Sequence, residues 1–477
     1  VLQSLELLIG VEPVNVFLIQ ASIFSPETER SMPLGIMYLA AHLRERFACR
    51  VGIFDMQLKV RNTEPVLAAI EKFGPDLIGI SGMALDMAVM NEVARRCKER
   101  FPSIPLIVGG VHATNTPAKI FAEPAYDYLI RGEGEHAFGA FIEHLRGRRE
   151  ITDVPNLMYR DNGDVRENPQ LPFETELDQF SFPAYDLIDL PAYHRIPRCG
   201  IIYAHPRYAA IITSRGCPYH CGYCHKIHGD RWRPRSAENV VEEMIELRAK
   251  YDVGEFIIMD DMFNLSAERC NRIAELIIAE KLNIRLSFPI GLRGDIMQEE
   301  TVRLLKRAGM YRCMYAVETA SPRLQKLIRK NNNLEKLRHI IEYTRRQGVM
   351  VHGSFMLGFP TESEEEARAT VNWAVASALH TAAFYRVIPY EGTMMANLLR
   401  ESGVLLQADP SDLEYHKSDK INASPMPDKT LSAIRRSAYR RFYLSPKRLW
   451  NIVRALPNRR HLLPRLALHW VRRALVY

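Results

Sequence analysis

The sequence predicts an α/β protein in three parts: an N-terminal doubly wound parallel sheet, a partial (β/α)6 barrel and a helical C-terminal tail. Three observations predict it. Short apolar runs alternate with amphipathic helical stretches from Val14 to Leu145, and again from Tyr208 to Val387. The stretch between them has little period and is broken by Pro155, Pro172, Pro183, Pro191, Pro197 and Pro206. From Leu431 to Tyr477 there are 12 Arg or Lys and no Asp or Glu. The boundaries read as 1–150, 151–206, 207–400 and 401–477.

In the first part, strands are read at 14–20, 50–54, 76–80, 105–108 and 126–130, with helices near 34–46, 66–73, 86–101 and 135–145. Ligands of such sheets lie beyond the carboxyl ends of the strands. Those ends carry Ser81-Gly82-Met83, Gly109-Gly110-Val111-His112-Ala113 and Arg131-Gly132-Glu133-Gly134-Glu135. Small residues there allow a flat or bulky ligand close to the backbone; singly, they also read as ordinary tight turns. G-x-G-x-x-G is absent, which argues against a dinucleotide. The 151–206 segment reads as a connector, with a strand at 154–160 and a turn at Asn162-Gly163.

The barrel strands are read at 208–213, 255–259, 284–290, 311–317, 350–355 and 382–387, with helices near 236–251, 267–281, 298–308, 334–347 and 362–378. Six such units leave the barrel open at one side, with its chemistry at the carboxyl rim. That rim carries Asp260-Asp261, Arg293, Glu318 and Ser354. Alone, the aspartates also read as a helix cap and Arg293 as half of a surface ion pair.

Just beyond the first barrel strand lies Thr213-Ser-Arg-Gly-Cys-Pro-Tyr-His-Cys-Gly-Tyr-Cys224, with Cys217, Cys221 and Cys224 spaced C-x3-C-x2-C. Three thiolates are soft ligands for an iron–sulfur cluster or for zinc. A cubane normally takes four cysteines, so three leave one iron open to an outside ligand. The other reading is a Cys3His zinc site closed by His220, His225 or His228.

The remaining cysteines are scattered, which is no disulfide framework and suits a reducing cytoplasm. No apolar run is long enough for a membrane span, and no N-terminal signal pattern is evident. The whole chain is +7 and the stretch from Leu431 is +12, so the main body is −5. The basic balance thus belongs to the tail and does not argue for a nucleic-acid partner. In that tail Trp450, Leu462, Leu463, Leu466, Leu468 and Trp470 alternate with Arg. It reads either as a helix on the barrel or as a peripheral membrane contact.

With Tyr223 before the last cysteine, the Cys217–Cys224 loop resembles the signature of the radical S-adenosylmethionine (SAM) superfamily. The resemblance implies a TIM-like radical SAM barrel in which the three cysteines hold a 4Fe-4S cluster. The open iron would bind the amino and carboxylate groups of SAM, with Tyr223 near the adenine. Met259-Asp260-Asp261-Met262-Phe263 resembles the segment that helps bind the SAM amino group. Val317-Glu318-Thr319-Ala320-Ser321 resembles the one whose Glu contacts the ribose. His352 to Pro360, which includes Ser354, and Pro389 to Thr393 match as well, and Arg293 joins the expected cofactor contacts.

The first part, with its Met32-Pro33-Leu34-Gly35 helix entry, resembles the cobalamin-binding domain fused to many such proteins. Ser81, Gly82, Gly109 and Gly110 match the residues that line its pocket, and Pro183-Ala184-Tyr185-Asp186 matches the usual connector. One departure stands out. The loop Ala21 to Ser31 has no histidine and no Asp-x-His-x-x-Gly, so a bound cobalamin would lack the usual lower ligand. His112 is the alternative nearby.

The resemblance implies reductive cleavage of SAM to a 5′-deoxyadenosyl radical, fed by a flavodoxin- or ferredoxin-type donor. With cobalamin, the expected reaction is methylation of an unactivated carbon of a small, hydrophobic or lipid-like substrate. Oxidative cyclisation or rearrangement of a tetrapyrrole- or lipid-type substrate is the alternative, and a non-catalytic cluster or zinc redox sensor is a third. A methylthio transfer is disfavoured because Cys49 and Cys97 are far apart and form no second cluster set. The expected location is the cytoplasm, with peripheral membrane contact if the tail binds lipid.

Overall fold

In β1 (Asn15–Gln20) the four central residues are buried, and they divide between two faces. Phe17 and Ile19 join one core with apolar residues of helices Glu64–Phe73 and Met87–Arg100. Val16 and Leu18 join another with helices Leu34–Phe47 and Glu135–Leu145. Successive side chains of a strand point to opposite faces, so a strand covered by helices on both sides is apolar throughout. This computed structural model describes residues 13–22, 30–58, 62–195, 202–402, 421–459 and 462–463. The chain divides into two compact units, Val1–Arg198 and Cys199–Tyr477.

The first unit holds a seven-stranded sheet in the order β2-β1-β3-β4-β5-β6-β7. β2 (Arg50–Asp55), β1, β3 (Leu77–Ser81), β4 (Leu106–Gly109) and β5 (Tyr128–Ile130) are parallel. The order reverses between β1 and β3, which puts the ligand crevice of this doubly wound fold at their carboxyl ends. The segment read as a connector adds a hairpin to this sheet: β6 (Leu157–Asp161) and β7 (Asp164–Glu167) run antiparallel beside β5. Asn162, at φ 51°, and Gly163, at φ 94°, form the turn; both angles suit a short hairpin and few residues other than Asn and Gly. The following residues stay on the same unit. Ala184 N–H donates to the Met37 carbonyl at 3.0 Å, and Tyr193 donates to Asp55 at the end of β2.

The second unit holds six strands in the order β15-β14-β13-β12-β11-β8, all parallel. They are β8 (Tyr208–Ile211), β11 (Glu255–Ile258), β12 (Arg285–Leu292), β13 (Met310–Glu318), β14 (Met350–Leu357) and β15 (Thr381–Arg386). The two-residue strands β9 (Ser214–Arg215) and β10 (Arg233–Pro234) form a separate antiparallel pair. Tyr315 reaches Thr344 on the helix Leu334–Arg346, and Phe355 meets Trp373 on the helix Glu364–Ala376. Their neighbours Met314, Ala316, Ser354 and Met356 therefore lie on the inner face.

An open barrel exposes the backbone of its last strand. Helix Asp428–Tyr443 covers that edge with side chains. Tyr443 Oη accepts from Ala382 N at 3.0 Å and donates to Ala382 O at 2.8 Å. Tyr439 Oη accepts from Phe384 N at 3.2 Å, and Arg435 Nε donates to Phe384 O at 2.9 Å. The tail begins packed as well: Ile452, Leu456 and Leu462 are buried with Tyr311 and Met350. Trp450 and Leu444 stay exposed, and Leu466, Leu468 and Trp470 lie outside the described residues. No helix among the described residues is long and apolar enough to cross a membrane.

Candidate functional site

The loop that carries the three cysteines is pinned at its base by the β9–β10 pair, where Ser214 and Arg215 face Pro234 and Arg233. Two carboxylates beyond β11 hold its first limb. Asp260, buried, accepts from Thr213 N, Thr213 Oγ1 and Ser214 Oγ, each at 2.6 Å. Asp261 Oδ2 accepts from Gly216 N at 3.1 Å. Gly216 has φ 80°, and a Cβ there would strike the Arg231 carbonyl, so glycine is required for the loop to close. The Asp260 carboxylate is thus occupied by the loop itself. Its burial raises its pKa, and the Arg269 charge and the Ser214 and Thr213 hydroxyls oppose that rise.

The far limb is gripped from two sides. Gly222 N–H donates to Ile328 O at 2.9 Å, beyond helix Pro322–Leu327, and Gly222 O accepts from Met395 N at 3.0 Å in helix Met394–Glu401. Cys217 and Cys221 are half-buried and Cys224 is exposed. The hydrogen bond from Cys224 lowers the Cys221 thiol below its ordinary value, with help from Lys330, Tyr223 and Arg293. The same hydrogen bond raises Cys224, and burial raises Cys217.

Two of the three histidines considered as a fourth zinc ligand have other partners for a ring nitrogen. His225 Nε2 donates to Glu391 O at 2.8 Å, and His220 Nδ1 accepts from Lys226 Nζ at 2.9 Å. Among the described residues, no group of three or more His, Cys, Asp or Glu converges on one ion. A cubane binds each thiolate at a different iron, so its ligands need not meet at a point.

Around this loop the rim presents buried polar groups. Glu318 ends β13 at φ 68° after a register shift, a strained conformation for a side-chain-bearing residue. It is buried, and its Oε2 has no hydrogen-bond partner. Burial raises its pKa, against the pull of Lys330 and a hydrogen bond from Tyr223. Tyr223 packs against a core that includes Leu324, Ile328, Phe359 and Met395. Arg293, also buried, lies 3.8 Å over the Tyr219 ring and donates to Lys330 O at 3.0 Å, while its Nη1 is unpartnered. An unpartnered carboxylate oxygen and guanidinium nitrogen at one rim fit a ligand with hydroxyl, amino and carboxylate groups. Ser354 sits apart on the inner barrel face, in register with Ala316 and Ala383.

Ser81 and Gly82 lie at the carboxyl end of β3, at the switch point of the first sheet, and Gly109 and Gly110 at the carboxyl end of the neighbouring β4. Ala21 N donates there to Ser81 O at 2.8 Å, and Ser81 pairs with Gly109. The glycines differ. A Cβ on Gly82 would meet Met90 Sδ at 2.7 Å and Ala21 O at 2.9 Å, and one on Gly110, at φ 91°, would meet Ser81 Oγ at 2.5 Å. One on Gly109 would meet only Ile130 O, at 3.6 Å. Packing explains glycine at the first two positions, whereas a Cβ at Gly109 would have room. His112 is buried, with Nδ1 3.0 Å from Thr116 Oγ1.

A doubly wound sheet with a glycine-lined switch point, joined in one chain to an open β/α barrel with a three-thiol loop beyond its first strand, defines a class of two-part cofactor enzymes. Residues 29–142 match the B12 binding domain family and residues 211–374 the Radical SAM superfamily. An uncharacterised methyltransferase of Pyrococcus horikoshii is 31% identical over 87% of this chain and 88% of its own. The cytidylyl-2-hydroxyethylphosphonate methyltransferase of Streptomyces wedmorensis is 30% identical over 84% and 83%. The fold is similar to that of the radical SAM methyltransferase TsrM of Kitasatospora setae, solved with cobalamin and a [4Fe-4S] cluster. That likeness has a TM-score of 0.67 at 17% identity, over 84% of this chain and 76% of that one. The chain belongs to the radical SAM family that carries a B12-binding domain, whose cofactors are a 4Fe-4S cluster, SAM and cobalamin.

Proposed function

We propose that this protein methylates an unactivated carbon of a small-molecule substrate, with Cys217, Cys221 and Cys224 holding the cluster. One observation carries the reading: a three-thiol loop, clamped on both limbs, borders the buried and unpartnered Glu318 and Arg293 atoms. The 30% identity to a methyltransferase across most of both chains supports the type of reaction. When bound, the cluster supplies the electron that cleaves SAM, and cobalamin supplies a methyl carrier. The protein's residues do the rest. Glu318 accepts hydrogen bonds from the ribose, Tyr223 flanks the adenine, and Arg293 keeps Tyr219 and the loop in place. Asp260 and Asp261 fix the limb from Thr213 to Gly216. Gly109, beside Ser81, leaves room for the corrin. The electron comes from a flavodoxin- or ferredoxin-type donor.

The test is anaerobic reconstitution followed by incubation with SAM, cobalamin and a strong reductant. S-adenosylhomocysteine that forms only when cobalamin is present supports methylation. 5′-Deoxyadenosine and methionine without it would favour cyclisation or rearrangement.

The exposed Leu444 (73%) and Trp450 (62%), with Arg440, Arg441 and Lys447 close in sequence, support a second, separable proposal: peripheral contact with an anionic membrane. Equal co-sedimentation of wild type and a Leu444→Ser/Trp450→Ser variant with anionic liposomes would remove it.

A further inference from the structure

The barrel sheet ends at β15 on one side and β8 on the other, and among the described residues no strand pairing joins the two. The chain beyond each edge nevertheless meets the other at the carboxyl rim. The cysteine loop follows β8, and Tyr390 to Met395 follow β15. Met395 N donates to Gly222 O at 3.0 Å, and a Cβ on Gly222 would strike the Met394 methyl. On the other side of Cys224, His225 Nε2 donates to Glu391 O at 2.8 Å, and the His225 and Tyr390 ring centroids lie 5.7 Å apart. A carbonyl only accepts, so this imidazole carries its proton on Nε2. The two contacts thus bracket Cys224, whose own N–H donates to Cys221 O at 3.1 Å.

The segment that receives them is fixed in its own right. Thr393 N and Thr393 Oγ1 both donate to Tyr390 O, at 3.1 and 2.6 Å, around Gly392 at φ 83°. Thr393 Oγ1 also caps helix Met394–Glu401 by accepting from Ala396 N at 3.3 Å. Val387 N donates to Leu357 O at 3.0 Å, which carries the β14–β15 pairing on toward the turn. A loop bonded to such a support on both sides of one residue leaves that residue little freedom.

We propose that His225 is a positioning residue for Cys224: its bond to Glu391, with the bond from Met395 to Gly222, closes the open side of the barrel at the last cluster ligand. The proposal rests on the reading that Cys217, Cys221 and Cys224 hold a cluster. Binding and closure are then linked. A cluster that fixes Cys224 favours the joined rim, and the joined rim favours retention of the cluster by the same factor.

The experiment has two arms. In the first, anaerobically reconstituted wild type, His225→Gln and His225→Phe are matched for iron and sulfide and mixed with an iron chelator, and the loss of cluster absorption is timed. Phenylalanine keeps a ring beside Tyr390 and removes the donor, whereas the glutamine amide can donate in place of Nε2. His225→Phe should lose its cluster about fivefold faster than wild type, the effect of one net hydrogen bond, and His225→Gln should stay within about twofold. In the second arm, hydrogen exchange at the Met395 amide of wild type should be about fivefold slower or more in the loaded protein than in the apoprotein. Loading by His225→Gln but not by His225→Phe also supports the proposal. It is overturned if His225→Phe holds its cluster as long as wild type, or if His225→Gln fails to load or loses its cluster as fast as His225→Phe. It is overturned equally if Met395 exchanges alike with and without cluster. Wild type without iron and sulfide would instead sink the cluster assignment itself.

Discussion

The Arg293 guanidinium lies 3.8 Å from the centroid of the Tyr219 ring, which ties the β12 end of the rim to the cysteine loop. The same side chain forms an ion pair with Asp295 at 2.9 Å, and both partners are under a tenth exposed. Removing one partner of a buried pair leaves the other charge uncompensated. Arg293→Met should lower the unfolding free energy by about 3 kcal/mol. The double variant Arg293→Met/Asp295→Leu should recover part of that loss. Urea denaturation of the two variants checks this.

The glycines of the first unit should separate by cause. Gly110→Ala meets both a positive φ and Ser81 Oγ, and Gly82→Ala meets the Met90 thioether and a carbonyl, so both should lower the melting temperature. Gly109→Ala has only a 3.6 Å neighbour and should melt with wild type. Gly109→Trp, filling the same space with bulk, should abolish the absorption change on adding cobalamin while the melting temperature holds. Calorimetry and absorption titration read the two effects.

Two buried groups give the second unit opposite pH dependences. His380 Nδ1 accepts from Val351 N at 3.0 Å, and burial lowers its pKa from 6.5 to about 4. The unfolded chain binds this proton more readily, so the stability from neutral His380 is full above pH 6.5 and is lost as the pH falls through 4. Glu362 accepts from Gly358 N and Phe359 N, yet burial raises its pKa from 4.5 to about 7. Here the folded chain binds the proton more readily. The contribution is full below pH 4.5 and is lost as the pH rises through 7. Glu362→Gln should therefore be more stable than wild type at pH 8, by roughly 1–3 kcal/mol. His380→Asn should flatten the stability profile between pH 6.5 and 4. Urea midpoints from pH 4 to 9 check both.

The open edge of the barrel depends on tyrosines. Tyr443→Phe leaves the Ala382 N–H and C=O without the hydroxyl they share, and should cost about 1–3 kcal/mol. Hydrogen exchange at the Ala382 and Phe384 amides should speed up, more in a Tyr439→Phe/Tyr443→Phe double variant than in either single one.

The strand–helix repeats were legible because buried parallel strands leave apolar runs such as Val16 to Ile19 and Phe256 to Met259. The cysteine loop was legible because its ligands are adjacent in sequence. The contacts of Asp260 and Arg293 were not. Asp260 reads as a free rim carboxylate until Thr213 and Ser214, some 46 residues earlier, are folded against it. The Arg293–Tyr219 stack and the hydrogen bond from Arg293 to the Lys330 carbonyl join segments that only the folded barrel brings together. Helix Met394–Glu401 leaves no mark in the sequence, because its eight residues are too few for a period to show. The turn residues of the hairpin at 157–167 announce it in the sequence, but its docking on β5 is a tertiary choice.

The central claim is that Cys217, Cys221 and Cys224 bind three corners of one iron–sulfur cube. Iron, sulfide and zinc analysis of anaerobically reconstituted wild type and the triple Cys→Ala variant tests it most directly. About four irons and four sulfides per wild-type chain, with none in the triple variant, is the predicted result. Zinc without sulfide in the wild type, or iron and sulfide retained by the variant, would contradict it.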